Sequence, residues 1–349
     1  MTIFDESEKS KNSDKTEIIV KEDKETRGIP NRTNHSTIKQ ILLHNEPIED
    51  KLHVIVVISN PCLFKKRYKL LTEFIRRIEA DETYVNLYIV ELAYGNQNFA
   101  MTDVNNPNHL QLRTEVPLWH KENMINLGVK KLLPTDWKAF AWIDSDIEFE
   151  NINWATDTLK ILNGYKDIVQ LFSHALDLDS DNLTMSVFSS FCYQHDKGYK
   201  YSRTQGVNYW HPGYSWACTR QLYEKMEGLF EYSILGSADY NMAMSLIGQG
   251  DKSFACKTND IFRQQILAFQ ERMCGAKIGY VPGVIRHHFH GSKVNRKYAE
   301  RWKILAKYDY NPDLHITTDE GGIIIPTGEC PREFIDDIYQ YFLERNEDE

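Results

Sequence analysis

The run Val54-Ile55-Val56-Val57-Ile58, opened by His53 and stopped by Ser59-Asn60-Pro61, leaves the chain few options. β-Branched side chains lose rotamer freedom in a helix and pack well on a pleated surface. A strand that is apolar on both faces needs cover on both, which is the situation of a parallel sheet between helices. The following segments keep to that plan. Tyr68 to Ile78 carries apolar residues at helical spacing, Val85 to Leu92 reads as a second strand, Trp119 to Leu133 as a helix and Ala139 to Ile143 as a third strand. The alternation predicts an α/β fold, a single large domain with a mostly parallel sheet flanked by helices, whose ligands sit at the carboxyl ends of the strands. Ser59-Asn60, Glu91 and Asp144-Asp146 then share one rim.

The third strand ends in Trp142-Ile143-Asp144-Ser145-Asp146-Ile147. In an extended backbone Asp144 and Asp146 project to the same side, and two carboxylates with no basic neighbour between them suit a hard divalent cation. An Asp-x-Asp triplet occurs by chance in many acidic loops. Its weight here comes from its place at the end of a buried strand.

Composition limits what such a site can serve. A formal net charge of −9 with dispersed lysines speaks against general affinity for nucleic acid or anionic membrane. Six cysteines lack any Cys-x-x-Cys spacing, which argues against a zinc ribbon or a disulfide framework and for free thiols. No stretch approaches a membrane span, and the amino terminus lacks the basic-then-apolar pattern of a signal peptide, so cytoplasmic residence is expected. Residues 1 to about 50 are polar, with one aromatic residue, Phe4, and no periodicity, and read as a disordered or loosely attached tail. Residues 51–315 form the expected domain, divided near residue 150 into two halves, 51–150 and 151–315. Residues 316–349 are an extension that includes a helix.

The second half supplies further candidates. Tyr199, Tyr201, Tyr209, Trp210, Tyr214 and Trp216 crowd a segment that also holds Gly206, Pro212 and Gly213, a density suited to stacking on sugar rings and equally to packing. Gly236-Ser237-Ala238-Asp239 precedes a helical pattern. Asp239 is either a helix cap or a general base. In His287-His288-Phe289-His290-Gly291, His288 and His290 share a face if the backbone is extended, and either can join carboxylates around manganese. Lys293, Arg296 and Arg301 follow, placed to meet a diphosphate or to pair with Glu300.

Taken together, these motifs resemble a GT-A-fold (Rossmann-like) nucleotide-sugar glycosyltransferase, and within that fold the β-1,4-galactosyltransferase and chondroitin-polymerase-like group. Asn126-Leu127-Gly128 resembles that group's Asn-Leu-Gly helix end, Pro212-Gly213-Tyr214-Ser215-Trp216-Ala217 its Gly-Gly-x-Ser-Ala segment, and Gly236-Ser237-Ala238-Asp239 its Gly-Gly-Glu-Asp. Ala238 stands where the group has an acidic residue, and the tryptophan-glycine pair before that motif is absent. His288-Phe289-His290-Gly291 also resembles the His-Tyr-x-Gly of retaining galactosyltransferases with the same fold.

The resemblance implies transfer from a nucleoside-diphosphate sugar, UDP-sugar favoured, to a glycan hydroxyl, with inversion. A retaining transferase and an inactive carbohydrate-binding relative are the alternatives. Asp144, Asp146, His288 and His290 would hold Mn2+ or Mg2+. Donor binding would fall to Ser59, Asn60, Pro61, Glu91, Lys121, Asn126, Asp144 and Lys293, and acceptor binding to Trp210, Gly213, Tyr214 and Trp216. Asp239 would be the base. A bacterial or large-virus origin is the expectation, with the host cytoplasm or the virion as the place if viral.

Overall fold

The computed structural model describes residues 33–349. In chain order its elements are α1 (Thr33–His44), β1 (Leu52–Ser59), α2 (Lys65–Asp81), β2 (Val85–Tyr94), β3 (His109–Thr114), α3 (Lys121–Leu132), β4 (Ala139–Ile143), β5 (Ile147–Phe149), α4 (Trp154–Leu162), β6 (Ile168–Gln170), β7 (His174–Leu178), β8 (Thr184–Ser190), α5 (Phe191–Asp196), β9 (Trp210–His211), β10 (Ser215–Thr219), α6 (Arg220–Met226), α7 (Ala238–Leu246), α8 (Asp260–Met273), β11 (Ile278–Tyr280), β12 (Val284–His287), α9 (Tyr298–Lys307), α10 (Pro312–His315), β13 (Ile316–Thr318), β14 (Ile324–Pro326) and α11 (Arg332–Glu344).

Seven strands form the main sheet in the order β11-β6-β10-β4-β1-β2-β3. β1 pairs in parallel with β2 and β4, and β10 alone runs antiparallel to both its neighbours. The apolar run of β1 is buried on both faces, as its composition requires. Leu52, Val54, Val56 and Ile58 pack with Leu71, Phe74 and Ile78 of α2 and Trp154 and Leu159 of α4. Ile55 faces Met124, Ile125 and Leu127 of α3 on the other side. Each such fully buried side chain contributes roughly 1.5–3 kcal/mol. Helix α3 lies close over the sheet at Gly128, where an added Cβ would meet Val90 at 3.0 Å and Ile55 at 3.2 Å. That close approach accounts for the glycine of the Asn126-Leu127-Gly128 motif.

A second sheet, β5-β12-β7-β8-β9, sits against the rim of the first. Its antiparallel pairing of β5 with β12 puts His287 opposite Ile147, and the His288 amide donates to the Asp146 carbonyl at 2.7 Å. The Asp-x-Asp turn and the histidine segment are thereby tied together although far apart in sequence.

Both described ends of the chain are docked on the core. Part of the supposed loose tail is docked, because Ile38, Ile41 and Leu42 form an apolar stripe at helical spacing that packs on the core. Asn45 bonds to the Lys160 and Asn163 carbonyls, and Glu49 accepts from the Ala139 amide at 2.8 Å. The rest of the expected tail lies outside the described residues. The carboxyl-side extension is likewise built in, with Phe334, Ile338, Tyr341 and Phe342 of α11 buried in the same core. All six cysteines are free thiols, with Cys192 and Cys218 buried and Cys256 and Cys274 exposed. Among the described residues no helix is long and apolar enough to cross a membrane.

Candidate functional site

β4 ends at Ile143, and the chain turns through Asp144-Ser145-Asp146 before β5 begins. The two aspartates meet different partners. Asp144 is ion-paired with Lys121 at the start of α3, and its amide donates to the Tyr214 carbonyl at 2.8 Å. Asp146 faces two histidines. Its Oδ2 lies 2.8 Å from His290 Nε2 and 3.6 Å from His287 Nε2, and the two ring nitrogens are 3.3 Å apart. The other oxygen, Oδ1, is buried with no hydrogen-bond partner. Burial raises the Asp146 pKa, but His290 and His287 overcome this and hold it well below the ordinary carboxylate range.

Asp146, His287 and His290 form the group whose donor atoms lie close enough together to hold one metal ion. His287 is oriented from behind. Its Nδ1 lies 2.7 Å from Oδ1 of Asp177, a β7 carboxylate that is 1% exposed and also bonds Lys293. With the Nδ1 proton donated to Asp177, the Nε2 lone pair is left facing Asp146, the arrangement by which carboxylates position metal-binding imidazoles. Burial alone would raise Asp177, but His287 and Lys293 hold it at about 2. Asp177 has no recognisable local sequence signal, and the two cationic or ring partners it meets, His287 and Lys293, lie more than a hundred residues away.

The histidine pairing differs from the extended-chain expectation. β12 stops at His287, and the chain turns toward Gly291, whose φ is 87°. Residues 287 and 290 therefore converge, while His288 points away with Nε2 3.3 Å from a Glu148 carboxylate oxygen.

Gly213-Tyr214 joins this cluster to Asp239. A Cβ on Gly213 would lie 3.0 Å from Asp239 Oδ2 and 3.1 Å from the His211 ring, so only glycine leaves both in place. Tyr214 has φ 78°, a conformation that costs a bulky residue of order 1–3 kcal/mol and that clusters at functional sites. Its ring stacks on His211 at 4.0 Å and lies 4.7 Å from His287. Ser237, just before α7, is also left-handed, with φ 81°. Ser237 makes no side-chain cap, and Asp239, in the first turn, accepts from the Tyr240 amide at 2.8 Å while remaining partly exposed.

Several expected contacts are absent from this cluster. Glu91 is filled by its own loop, accepting from the amides of Ala100, Met101 and Thr102 and from the Thr102 hydroxyl. Asn126 is saturated by Leu229, Glu231 and Tyr223 and fastens a loop. Trp210 packs on Phe191 and Tyr201, and Trp216 stacks on Trp142, so both belong to the core. Lys293 is taken up by Asp177 and the Phe188 ring. Asn60 turns inward to bond Phe64 at both ends of its amide. Ser59, Asn60 and Pro61 line a narrow cavity with Arg67, Trp119 and Phe342. Lys121 stays beside Asp144 and also beside Glu122, a buried carboxylate that sequence reasoning passed over. Burial pushes Glu122 up to about 8, against Lys121 and with Asp239 and Asp144 adding to the shift.

No protein-family profile matches the chain, and no curated protein matches it by sequence. Among solved structures it is similar to a Drosophila β-1,4-galactosyltransferase 7 variant in complex with manganese, UDP-Gal and xylobiose, at 13% identity and a TM-score of 0.35, covering 82% of this chain and 98% of that one. It is also similar to a Desulfovibrio desulfuricans protein described as a nucleotide-diphospho-sugar transferase, at 10% identity and TM-score 0.32, covering 68% and 82%. A third is the 4-diphosphocytidyl-2C-methyl-D-erythritol synthase of Anaerococcus prevotii, at 12% identity and TM-score 0.31, covering 84% and 97%. Likeness at this level leaves the function to be read from the chain's own groups.

Proposed function

We propose that the protein is a metal-dependent glycosyltransferase that moves a sugar from a nucleoside-diphosphate sugar, UDP-sugar foremost, to a hydroxyl of a glycan with inversion. One observation carries the reading. Asp146, His287 and His290 converge at the carboxyl rim of a mostly parallel sheet, with Oδ2 of Asp146 facing both rings, its Oδ1 buried without a partner, and Asp177 fixing one ring from behind. This oxygen-and-nitrogen donor set suits manganese.

A cation bound there would supply Lewis-acid stabilisation of the diphosphate as it departs. The chain's own groups do the rest. Lys121 holds Asp144 in place at the turn. Asp239 takes the acceptor hydroxyl proton as that oxygen bonds to the anomeric carbon and the bond to the diphosphate breaks with its electron pair. The missing side chain at Gly213 keeps the face of Asp239 open. Tyr214, wedged between His211 and His287, links the base side of the cleft to the cation side.

The test is a screen of UDP- and GDP-sugars for manganese-dependent hydrolysis and thermal stabilisation, both independent of the acceptor. Stabilisation by at least one nucleotide sugar only when manganese is present supports the reading. No response to any donor would overturn it. Proton NMR of the anomeric centre in the product then separates inversion from retention.

A further inference from the structure

Beyond α11, residues 345–349 cross the rim just described. Glu347 is 2% exposed and both its oxygens are engaged. Arg67 grips it through Nε and through Nη2 at 2.7 Å, and Arg345 Nε adds a contact at 2.7 Å. Arg67 in turn donates to the carbonyl of Ser59, at the end of β1, at 2.7 Å. On its other side Glu347 Oε2 lies 4.0 Å from Nδ1 of His290. The next residue, Asp348, accepts from the amides of Lys65 and Lys66 at 3.0 and 2.8 Å, in the first turn of the 17-residue helix α2. Two adjacent carboxylates thus fill the interval between the end of β1 and the histidine pair.

The donors they use are those that hold phosphate oxygens: a two-pronged guanidinium and backbone amides at a helix start. The manner of attachment also matters. α11 is fixed by buried apolar side chains, Phe334, Ile338, Tyr341 and Phe342, whereas the segment after it is fixed mainly by charge. Asn346, with φ 40°, marks the bend, and the backbone of 345–347 presses on Gly291, where a Cβ would lie 3.0 Å from Asn346 O.

We propose that residues 345–349 are an intramolecular plug in which Glu347 and Asp348 occupy the place of a diphosphate, so that the segment must swing out before a nucleoside diphosphate can bind. The proposal rests on the donor reading above for the identity of the displacing ligand. A tethered competitor acts at high effective concentration, and it lowers apparent affinity in proportion to the time it is closed. A plug closed nine-tenths of the time weakens binding about tenfold.

The experiment compares the wild-type chain with E347Q/D348N, which keeps shape and removes charge, by calorimetric titration with inorganic pyrophosphate and separately with UDP plus manganese. Binding of pyrophosphate at least about tenfold tighter in the variant is expected. Equal or weaker binding, or none in either protein, overturns the plug. If the variant gains affinity for pyrophosphate but neither protein binds UDP, the plug stands and the donor reading falls. If UDP binds both proteins equally, and pyrophosphate does too, the reverse holds. Should the double variant melt early, E347Q alone is used with a second measurement on the wild type, tryptic cleavage after Arg345. Pyrophosphate should accelerate that cut several-fold, and an unchanged rate would count against the plug.

Discussion

Glu91 and Asp146 are both acidic residues at the carboxyl end of the same sheet, yet the structure uses them in opposite ways. Glu91 is met by four donors from residues 9 to 11 positions further on, at 2.6 to 3.0 Å, so its charge is spent on holding a loop. Asp146 receives no local donors. One oxygen looks toward two imidazoles brought from the far end of the domain, and the other has no partner at all. A buried acceptor left unpaired costs roughly 1–3 kcal/mol, so its persistence needs an explanation of a kind Glu91 does not. The difference teaches that a strand-end carboxylate becomes a strut when its own loop supplies donors, and stays available to a ligand when donors are withheld.

The sharpest way to break this contrast is Asp146→Ala. Manganese-dependent stabilisation by UDP should vanish while the fold persists, since His287 keeps its bond to Asp177 and the pairing of β5 with β12 does not use the Asp146 side chain. Thermal melting with and without UDP and manganese reads both, and a surviving manganese response would end the metal assignment. Next in size is Asp239→Asn, which preserves the bond to the Tyr240 amide and removes the base. Transfer should fall by roughly 10²-fold or more with donor binding retained. A near-normal transfer rate would make Asp239 a helix-start residue only. Asp177→Asn tests the support behind the cluster. Losing the partner that orients an imidazole costs about 10- to 100-fold in metal affinity, measured by manganese titration, and no change would mean that His287 is positioned by Tyr214 alone.

The contrast also marks how far sequence could reach. The strands β1, β2 and β4 and the helices α2 and α3 were legible because both-face burial and helical spacing are local patterns. β3 escaped as a short edge strand of mixed polarity, His109-Leu110-Gln111-Leu112-Arg113-Thr114. The second sheet escaped because strands of two to seven residues carry little periodicity, and their pairing is decided by partners distant in the chain. The same limit governed the site. The Asp-x-Asp turn and the three histidines stood out, but choosing His287 over His288 required knowing that β12 ends there. Asp177 meets His287 and Lys293, and Glu347 meets Arg67 and His290, all far away in the chain. Trp210 and Trp216 show the converse, since composition cannot separate a sugar-stacking ring from a core ring.

A smaller effect sharpens the strut side. Glu91→Gln puts an amide where backbone N–H groups point, so at least one donor loses its acceptor. Bonds to a charged group are worth about 1.5–3 kcal/mol, and destabilisation of that size is expected in urea melts. Affinity of the folded protein for UDP and manganese should not move. A loss of affinity beyond the loss of stability would place Glu91 back at the donor.

Glu122 is the intermediate case, a carboxylate buried at the first turn of α3 with neither the donors of Glu91 nor the histidines of Asp146. Burial raises it from an ordinary 4.5 to about 8 in the folded chain. Between those values the unfolded chain has released a proton that the folded chain keeps, so the stability this group contributes is full in acid and is lost as pH rises. Glu122→Gln cannot ionise and escapes that loss. The variant should therefore match the wild type near pH 4, below the unfolded value, and become the more stable of the two toward pH 8. The gain should reach about 1 kcal/mol rather than the full linkage value, because Lys121 gives up a neighbouring charge in the exchange. Melting curves across that range decide it. A difference that does not vary with pH would mean that Glu122 is ionised throughout and paired with Lys121, making it a strut of the Glu91 kind.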